Sequence, residues 1–201
     1  MALSDLTFVP LTPARWADFE NLFGERGACG GCWCMWWHRT RAEFEESKGE
    51  ANRRAMCARV SGGEEPGILA YAGRTPVGWC AIGPRDGYPA IVASRALRQV
   101  PGDDVWSVTC FFVHRTYRGT GISVVLLRAA IEHARKHGAR VIEGYPVEPK
   151  GESLPAAFAW TGLRATFDRA GFREVLRRST TRPTMRLQLE RKGRRRPAAA
   201  R

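Results

Sequence analysis

The sequence predicts a single α/β domain of the α+β type, in which strands and helices share one core. Its 201 residues suffice for one domain, whereas two domains would each be small and marginal. Hydrophobic residues make up 44% and charged residues 26% of the chain, which excludes collagen-like and wholly disordered proteins. Apolar periods typical of strands and helices follow one another without an internal repeat. We therefore expect one domain over residues 1–190 and a basic tail over 191–201.

The N-terminal third predicts a strand followed by two helices. Thr7-Phe8-Val9 is typical of a short strand, and apolar residues from Trp16 to Phe23 recur at helical spacing behind Thr12, a possible cap. Glycines between Gly24 and Gly31 end this first helix. The charged stretch from Thr40 to Arg59 contains good helix formers and predicts the second helix.

The middle of the chain predicts three strands. Apolar runs between Gly67 and Gly83 flank a short Gly/Pro-containing turn, which is typical of a hairpin. Prolines and glycines then predict an irregular connection that holds Ile91 to Leu97. The run from Val105 to Val113 is nearly uncharged, so we expect it in the centre of a sheet.

The C-terminal part predicts a long helix from Gly121 to Gly138, because apolar residues recur there at steps of three and four. After it the pattern predicts a strand, a polar loop, a short helix and two strands, over residues 140–145, 146–162, 163–169, 173–179 and 184–189. The predicted order is β-α-α-β-β-β-α-β-α-β-β.

Charge and hydropathy limit the partners and the compartment. Half of the net charge of +12 lies in residues 191–201, which we expect to be disordered, with a nonspecific polyanion contact as the alternative. We therefore do not expect nucleic acid as the main partner. No apolar run approaches the ~20 residues that cross a bilayer, and no signal peptide is evident. We expect a cytoplasmic monomer or homodimer with no membrane partner, whose six cysteines are thiols or metal ligands rather than disulfides.

The segment Arg118-Gly-Thr-Gly-Ile-Ser123 joins the predicted central strand to the long helix. Gly119 and Gly121 let the backbone approach a ligand, and the amides from 119 to 123 would be unpaired donors at a helix N-terminus. A P-loop would need a lysine, and a dinucleotide fingerprint would need a small residue in place of Val124. The segment predicts a pyrophosphate site; a tight turn without a ligand is the alternative.

At these residues the chain resembles a known family. Residues 118–123 are similar to the Arg/Gln-x-x-Gly-x-Gly/Ala signature of the GNAT acetyltransferases, with Ser123 as the departure. Thr166 to Phe172 resembles the family's aromatic-x-x-x-Gly-Phe ending, and the element order also agrees over roughly residues 5 to 190. The resemblance implies a central mixed, mostly antiparallel sheet of six to seven strands, splayed in the middle, with helices on both faces.

The resemblance implies acetyl-CoA as cosubstrate and assigns residues to it. Main-chain groups of Phe111 and Val113 would hold the pantetheine arm, and the Val113 amide would stabilise the oxyanion. The pyrophosphate would be bound by Arg118, Gly119, Thr120, Gly121, Ile122 and Ser123. Phe167 stands where the family often has a tyrosine, so we expect it at the cofactor site without a proton to donate.

The catalytic acid and base are harder to assign. Ser107 replaces the family's frequent glutamate on the central strand. We take Glu143 as a general base and Tyr145 as a proton relay as a hypothesis, with solvated or structurally paired side chains as the alternative. Glu148 and His114 are further candidates for the base.

A patch rich in cysteine and tryptophan follows the first helix. Cys29-x-x-Cys32-x-Cys34 with His38 contains enough ligands for zinc, but the second Cys-x-x-Cys of a zinc ribbon is absent, so we expect no metal. The aromatic neighbours favour the wall of an acceptor pocket or plain core packing. The candidate substrate-binding residues are Trp33, Trp36, Trp79 and Tyr145.

These observations favour transfer of an acetyl group from acetyl-CoA to an amine on a small molecule or peptide, by direct attack in a ternary complex. A catalytically silent CoA-binding or regulatory module is the alternative, suggested by Phe167 and Ser107. A nucleic-acid-associated protein that uses the basic tail is a third hypothesis, which no base-reading motif supports.

Overall fold

The computed structural model describes residues 3–95, 97, 100–149, 151 and 158–190. These residues form an open seven-stranded sheet in the order β1-β2-β3-β4-β5-β7-β6. The strands are β1 (Leu6–Pro10), β2 (Gly67–Ala72), β3 (Thr75–Pro84), β4 (Val105–Val113), β5 (Val141–Gly144), β6 (Arg173–Ser179) and β7 (Arg182–Gln188). Only the pairing of β4 with β5 is parallel, and the other neighbours are antiparallel. The predicted tail over 191–201 lies outside the described residues.

Helices cover both faces of the sheet. They are α1 (Trp16–Phe23), α2 (Arg41–Glu46), α3 (Glu50–Ser61), α4 (Pro89–Val92), α5 (Ile122–Lys136) and α6 (Arg164–Arg169). On one face, α5 buries Leu126 and Leu127 in a cluster that includes Phe167 of α6. On the other face, Phe19 of α1 packs with Trp79 of β3. The mixed, mostly antiparallel sheet with helices on both faces confirms the predicted fold class.

Two predicted elements differ from the structure. The second helix is divided into α2 and α3, because Gly49 adopts φ 81° and its amide donates to the carbonyl of Gly31 at 3.0 Å. A side chain at Gly31 would stand 2.4 Å from the Gly49 nitrogen, so this close contact of two loops interrupts the helix. The irregular connection after β3 contains the short helix α4, which Pro89 begins.

The sheet opens between β4 and β5 because β4 contains a β-bulge. Ala81 and Ile82 of β3 face Cys110 and Val108, so Thr109 is an extra residue in β4. Trp37 donates from Nε1 to the Thr109 carbonyl at 3.2 Å, which holds the bulge from outside the sheet. Pairing of β4 with β5 ends at Val108 and Gly144, where β5 itself ends, and β4 continues to Val113 with the segment at Trp160 beside it. This is the predicted splay.

Among the helices that the structure describes, none is both long and apolar enough to cross a membrane.

Candidate active site

The edge of β4 beyond the bulge presents main-chain groups to the gap beside β5. The Phe111 amide points into this gap, where it donates to the Trp160 carbonyl at 2.6 Å. Since residues two apart on a strand direct their polar groups to the same edge, the Val113 amide and carbonyl face the gap as well. Arg118 donates from Nε to the Val113 carbonyl at 3.0 Å, so the strand edge leads directly into the turn.

The turn between β4 and α5 has the geometry of an anion site. Gly119 has φ 76° and Gly121 has φ 88°, values that a side chain would disfavour. Among the described residues, no atom lies within 4 Å of the place where a Gly119 Cβ would stand. The 15-residue helix α5 begins directly after Gly121, with no acidic residue in its first turn. The Val124 amide donates to the Gly121 carbonyl at 3.0 Å, whereas the amides before it have no partner earlier in the helix. These amides and the positive end of the helix dipole follow closely after the exposed Arg118.

The segment from Trp160 to Leu163 lies in the gap between the diverging strands. It accepts the Phe111 amide at Trp160, and Val147 donates to the Gly162 carbonyl at 2.9 Å. Gly162 has φ 86°, and a Cβ there would lie 2.7 Å from Phe167 and 2.9 Å from Phe111. This segment continues the sheet across part of the gap. A ligand that used the Phe111 amide would have to replace the Trp160 carbonyl.

Phe167 forms the floor of the gap. Its side chain is 0% exposed and packs edge-on against Phe111, with ring centroids 6.0 Å apart. A Cβ at Gly144 would lie 2.1 Å from the Phe167 ring, so the last residue of β5 must be glycine for this packing. The sequence predicted Phe167 at the cofactor site; the structure places its ring beneath the gap beside β4, buried by the segment at Gly162.

An aromatic cavity of about 710 Å³ opens beside β4. Trp36, Trp37 and Trp160 line it, with the Trp160 ring centroid 5.8 Å from that of Trp36 and 5.7 Å from that of Trp37. Phe111 and Phe112 of β4 also line the cavity, so it reaches the strand that carries the open main-chain edge. Of the predicted substrate residues, Trp36 is the one that lines this cavity.

The charged residues around this cavity are mainly basic. Arg41, Lys48 and Arg182 line it with a single lining carboxylate, Glu45, among the described residues. Glu45 pairs with Arg41 at 3.0 Å and also with Lys48, and the hydrogen bond from Lys48 lowers the pKa of this carboxyl. An acceptor would therefore meet an apolar interior and a rim with excess positive charge.

Two predicted substrate residues belong to the core instead. Trp79 is 0% exposed and donates from Nε1 to the Cys34 sulfur at 2.9 Å. Trp33 stacks on Phe23 with ring centroids 5.7 Å apart. Both rings fill the space between α1 and the sheet, because large aromatic side chains gain most from complete burial. Neither lines the cavity.

The three clustered cysteines are free thiols. Burial, followed by the neighbouring Cys110, raises the pKa of Cys32 to about 11, and burial also raises that of Cys34. Both side chains are therefore protonated at neutral pH, and they line the aromatic cavity with Cys29. Cys34 also packs with Trp33 and Met35 in the core around α1, so the patch contributes both to the core and to the wall of this cavity.

Glu143 lies in a buried charged cluster. It is 1% exposed, and Arg186 of β7 donates to its Oε2 from Nε at 2.6 Å. Arg85 lies 3.7 Å from the same oxygen, and Tyr145 donates to Oε1 at 2.6 Å. The arginines are held in turn by the carbonyls of residues 100 and 101. We refer to Glu143, Arg186, Arg85, Tyr145 and Ser107 as the buried charge cluster.

Tyr145 connects Glu143 to the central strand. Its hydroxyl lies 3.0 Å from the Ser107 hydroxyl, so Ser107 contributes a partner where the sequence suggested a missing base. Burial, with the Glu143 charge, raises the pKa of Tyr145 well above its usual range. Neither Glu143 nor Tyr145 lines the aromatic cavity, so neither reaches an acceptor held there. The structure favours structural pairing, the alternative that the sequence left open.

The remaining base candidates are also engaged. Glu148 pairs with Arg164 at 3.2 Å and with Arg177 at 2.6 Å, and the Arg177 contact lowers the pKa of its carboxyl. His114 contacts the Thr116 hydroxyl at 2.8 Å on the exposed turn after β4. Neither lines the cavity, so neither is positioned to take a proton from an acceptor held there.

Sequence reasoning missed the contacts made by Trp37, Trp160, Arg85 and Arg186. Arg186 stands 43 residues from Glu143, and Trp37 stands 72 residues from Thr109, so no local spacing connects either pair. Arg186 lies in a strand that also contains Arg182, Thr184 and Gln188, so nothing in the local sequence marked it as a buried partner. For the carbonyl of Trp160, a main-chain group, the sequence contains no signal.

The comparisons with known proteins agree with this geometry. A sequence model described as the acetyltransferase (GNAT) family matches residues 33–150. A search of curated proteins gave no significant match. Similar solved structures include a GCN5-related N-acetyltransferase from Kribbella flavida, with a TM-score of 0.55, 18% identity and coverage of 94% of this chain and 100% of that one.

Two further solved structures contain the coenzyme. The PaiA N-acetyltransferase from Thermoplasma acidophilum in complex with coenzyme A has a TM-score of 0.53 at 12% identity, covering 94% of this chain and 100% of that one. YncA, a putative acetyltransferase from Salmonella typhimurium with acetyl-CoA, has a TM-score of 0.52 at 17% identity, covering 98% and 99%. At these identities the likeness establishes a shared fold.

Proposed function

Because the chain belongs to the GNAT family of acetyltransferases, we propose that it transfers the acetyl group of acetyl-CoA directly to an amine in a ternary complex. One observation carries the proposal: the edge of β4 at Phe111 and Val113 faces the gap beside β5, has the proposed anion-binding turn at its end, and shares Phe111 with the aromatic cavity. A nucleotide thioester and an acceptor can thus meet at one strand once the Trp160 carbonyl has left the Phe111 amide.

The cosubstrate would be held by main chain more than by side chains. The pyrophosphate fits the amides from Gly119 to Ser123, with Arg118 supplying a positive charge. The pantetheine amides fit the edge of β4 at Val113, and at Phe111 after the Trp160 carbonyl has been replaced. That replacement exchanges one main-chain hydrogen bond for another, so its net cost is small.

The chemistry requires few side chains. The amine nitrogen attacks the thioester carbonyl carbon, and the Val113 amide donates to the resulting oxyanion. The carbon–sulfur bond then breaks, CoA leaves as a thiolate, and the proton lost by the amine passes to solvent or to that thiolate. A thiolate leaves without an acid, so a phenylalanine at position 167 is compatible with turnover.

The cavity indicates the class of acceptor. Trp36, Trp37 and Trp160 offer ring faces to an aromatic or apolar body. Arg41, Lys48 and Arg182 on the rim favour an acceptor that also has a carboxylate or is neutral, and they disfavour a polycation. The proposed acceptor is therefore a primary amine on an aromatic or apolar small molecule or peptide end, with no further positive charge.

The test is release of free CoA thiol from acetyl-CoA in the presence of defined amines. Arylalkyl amines, aromatic amino acids, polyamines and aminoglycosides would be compared at equal concentration. We expect turnover with the aromatic acceptors and little with polycations. Arg118→Glu should abolish turnover at limiting acetyl-CoA, while Arg178→Glu, the same charge change on the exposed edge strand β6, should not.

Binding of CoA must be measured beside turnover, because the alternative is a catalytically silent CoA-binding module. The Trp160 carbonyl on the Phe111 amide and the engaged base candidates favour that alternative. CoA binding without thiol release across the amine set would establish the silent module. Absence of CoA binding to the folded protein would overturn both.

A further inference from the structure

Two histidines and one glutamate converge at the end of α5 remote from the turn. Their side chains are those of Glu65, His133 and His137, and one ligand atom from each lies within 4.8 Å of the other two. His133 and His137 are four residues apart, so they share one face of the helix. Glu65 precedes β2 and reaches the same face. Twelve residues of α5, about 18 Å, separate this cluster from Gly121.

The distances suit a tetrahedral metal ion. Glu65 Oε2 lies 3.5 Å from His137 Nε2 and 3.7 Å from His133 Nδ1. A tetrahedral ion with ligands at about 2.1 Å separates its ligand atoms by about 3.4 Å. The observed separations exceed a good hydrogen bond and approach this edge length.

The hydrogen bond of His137 fixes which nitrogen faces the glutamate. His137 Nδ1 lies 2.9 Å from the His133 carbonyl, and since a carbonyl can only accept, Nδ1 must hold a proton. In the neutral ring the Nε2 lone pair is then directed towards a carboxylate oxygen. A metal ion or a proton between these two electron-rich atoms would remove their repulsion, and such a main-chain contact is typical of metal-bound histidine.

His133 is incompletely satisfied in the chain alone. Its side chain is 7% exposed, and among the described residues its Nε2 has no hydrogen-bond partner. A buried polar atom without a partner is costly, which points to solvent or another polar group beside Nε2. The nitrogen of His133 that faces Glu65 is the other one, Nδ1. The cluster borders a cavity of about 710 Å³, from which an ion and a water ligand can enter.

In the part of the chain that the structure describes, Glu65 pairs with no lysine or arginine, unlike the other acidic residues near the cluster. The neighbouring Glu64 pairs with Arg59 at 2.6 Å, and Glu132 pairs with Arg135. Lys136 adds a positive charge on α5. A site with one carboxylate and two imidazoles in this environment suits a strongly bound divalent ion such as zinc better than calcium or magnesium, which prefer oxygen ligands.

We propose that Glu65, His133 and His137 bind one divalent transition-metal ion, with zinc as the fitting ion and water in the fourth position. The ion would join the end of α5 to the connection between α3 and β2, and so stabilise the body of the fold away from the acetyl-transfer site. The proposal is independent of the acceptor and of turnover.

The experiment titrates zinc into tag-free protein that has been treated with a chelator and desalted. We expect one zinc ion per chain and a rise in Tm on binding. Glu65→Gln and His137→Ala, both at accessible positions, should each weaken zinc binding by about tenfold or more. His114→Ala is the matched control, since it removes an exposed histidine elsewhere and should leave the affinity unchanged.

The absorption spectrum of the protein with cobalt(II) in place of zinc distinguishes a metal site at this cluster from one at the cysteine patch. We expect the visible bands of a tetrahedral cobalt site without the charge-transfer band of a cobalt–thiolate bond. A strong thiolate band would place the ion on Cys29 and Cys32 and overturn the proposal. Zinc affinity equal to that of the unaltered protein in folded Glu65→Gln, or no zinc binding at all, would also overturn it.

Discussion

The turn over 118–123 and the buried charge cluster both contain charged residues that the sequence suggested as functional, but they differ in what remains available. In the turn, Arg118 is exposed and the first amides of α5 have no partner earlier in the helix. In the cluster, Glu143 accepts from Arg186 and Tyr145, and the arginines donate to main-chain carbonyls. A binding site keeps donors available for a ligand, whereas most polar groups of the buried charge cluster are paired within the protein. The presence of charged residues in the sequence therefore did not distinguish the turn from the buried charge cluster.

The largest expected effect comes from breaking the cluster. Arg186→Leu leaves the Glu143 carboxylate buried without its main partner, and we expect unfolding to become easier by about 3–5 kcal/mol. Urea unfolding measures the loss. Arg178→Leu on exposed β6 is the control and should change stability by less than about 0.5 kcal/mol. A loss below 1 kcal/mol in Arg186→Leu would mean that the cluster tolerates an unpaired charge, as an active site does.

A substitution in the turn should weaken ligand binding and leave stability unchanged, in contrast to one in the cluster. Arg118→Glu should weaken CoA binding roughly tenfold to a hundredfold, since it replaces a charge-assisted contact with a repulsive one. Because Arg118 is exposed, the free energy of unfolding should hardly change. Calorimetric titration with CoA and urea unfolding of the same preparation provide both values. Unchanged affinity would remove the turn from the binding site.

The half-buried ring of His38, in the N-terminal half, offers a further test, in which the stability of the protein depends on pH. Burial, with the positive charge of Arg59, lowers the pKa of His38 to about 4 from an ordinary 6.5. The folded state therefore prefers the neutral ring, and stability contributed by His38 is complete above pH 6.5 and declines as the pH falls towards 4. We expect a decline of roughly 1–2 kcal/mol, since the ring is only partly buried.

Comparison with His38→Gln isolates this residue, because glutamine keeps a donor for the Gly87 carbonyl. Urea unfolding at several pH values should show a shallower decline in the variant, and the difference between the two proteins should vanish above pH 7. Parallel curves throughout would contradict the assignment.

The smallest expected effect is that of Tyr145→Phe. The variant loses the hydrogen bond to Glu143 Oε1 and the contact with Ser107, so we expect a loss of about 1 kcal/mol in stability. Thiol release should keep its rate and pH profile, because Tyr145 does not reach the aromatic cavity. A fall in kcat of tenfold or more at unchanged stability, equivalent to about 1.4 kcal/mol in the barrier, would restore Tyr145 as a proton relay.

The sequence by itself determined the local features of this protein. Helix α5, strand β4 and the glycine turn between them depend on periodicity, low charge and backbone freedom, which neighbouring residues decide. The split between α2 and α3 escaped prediction, because it depends on the distant contact of Gly31 with Gly49.

Tertiary structure alone decided which charged and aromatic residues are available to contact a ligand. Glu143 became a buried partner of Arg186, Trp79 became core, and Glu65 met His133 and His137, since each outcome depends on residues far apart in sequence. The turn could be recognised from sequence because adjacent main-chain amides build it. The aromatic cavity and the histidine cluster could not be recognised from sequence, because burial and pairing are properties of the packed molecule.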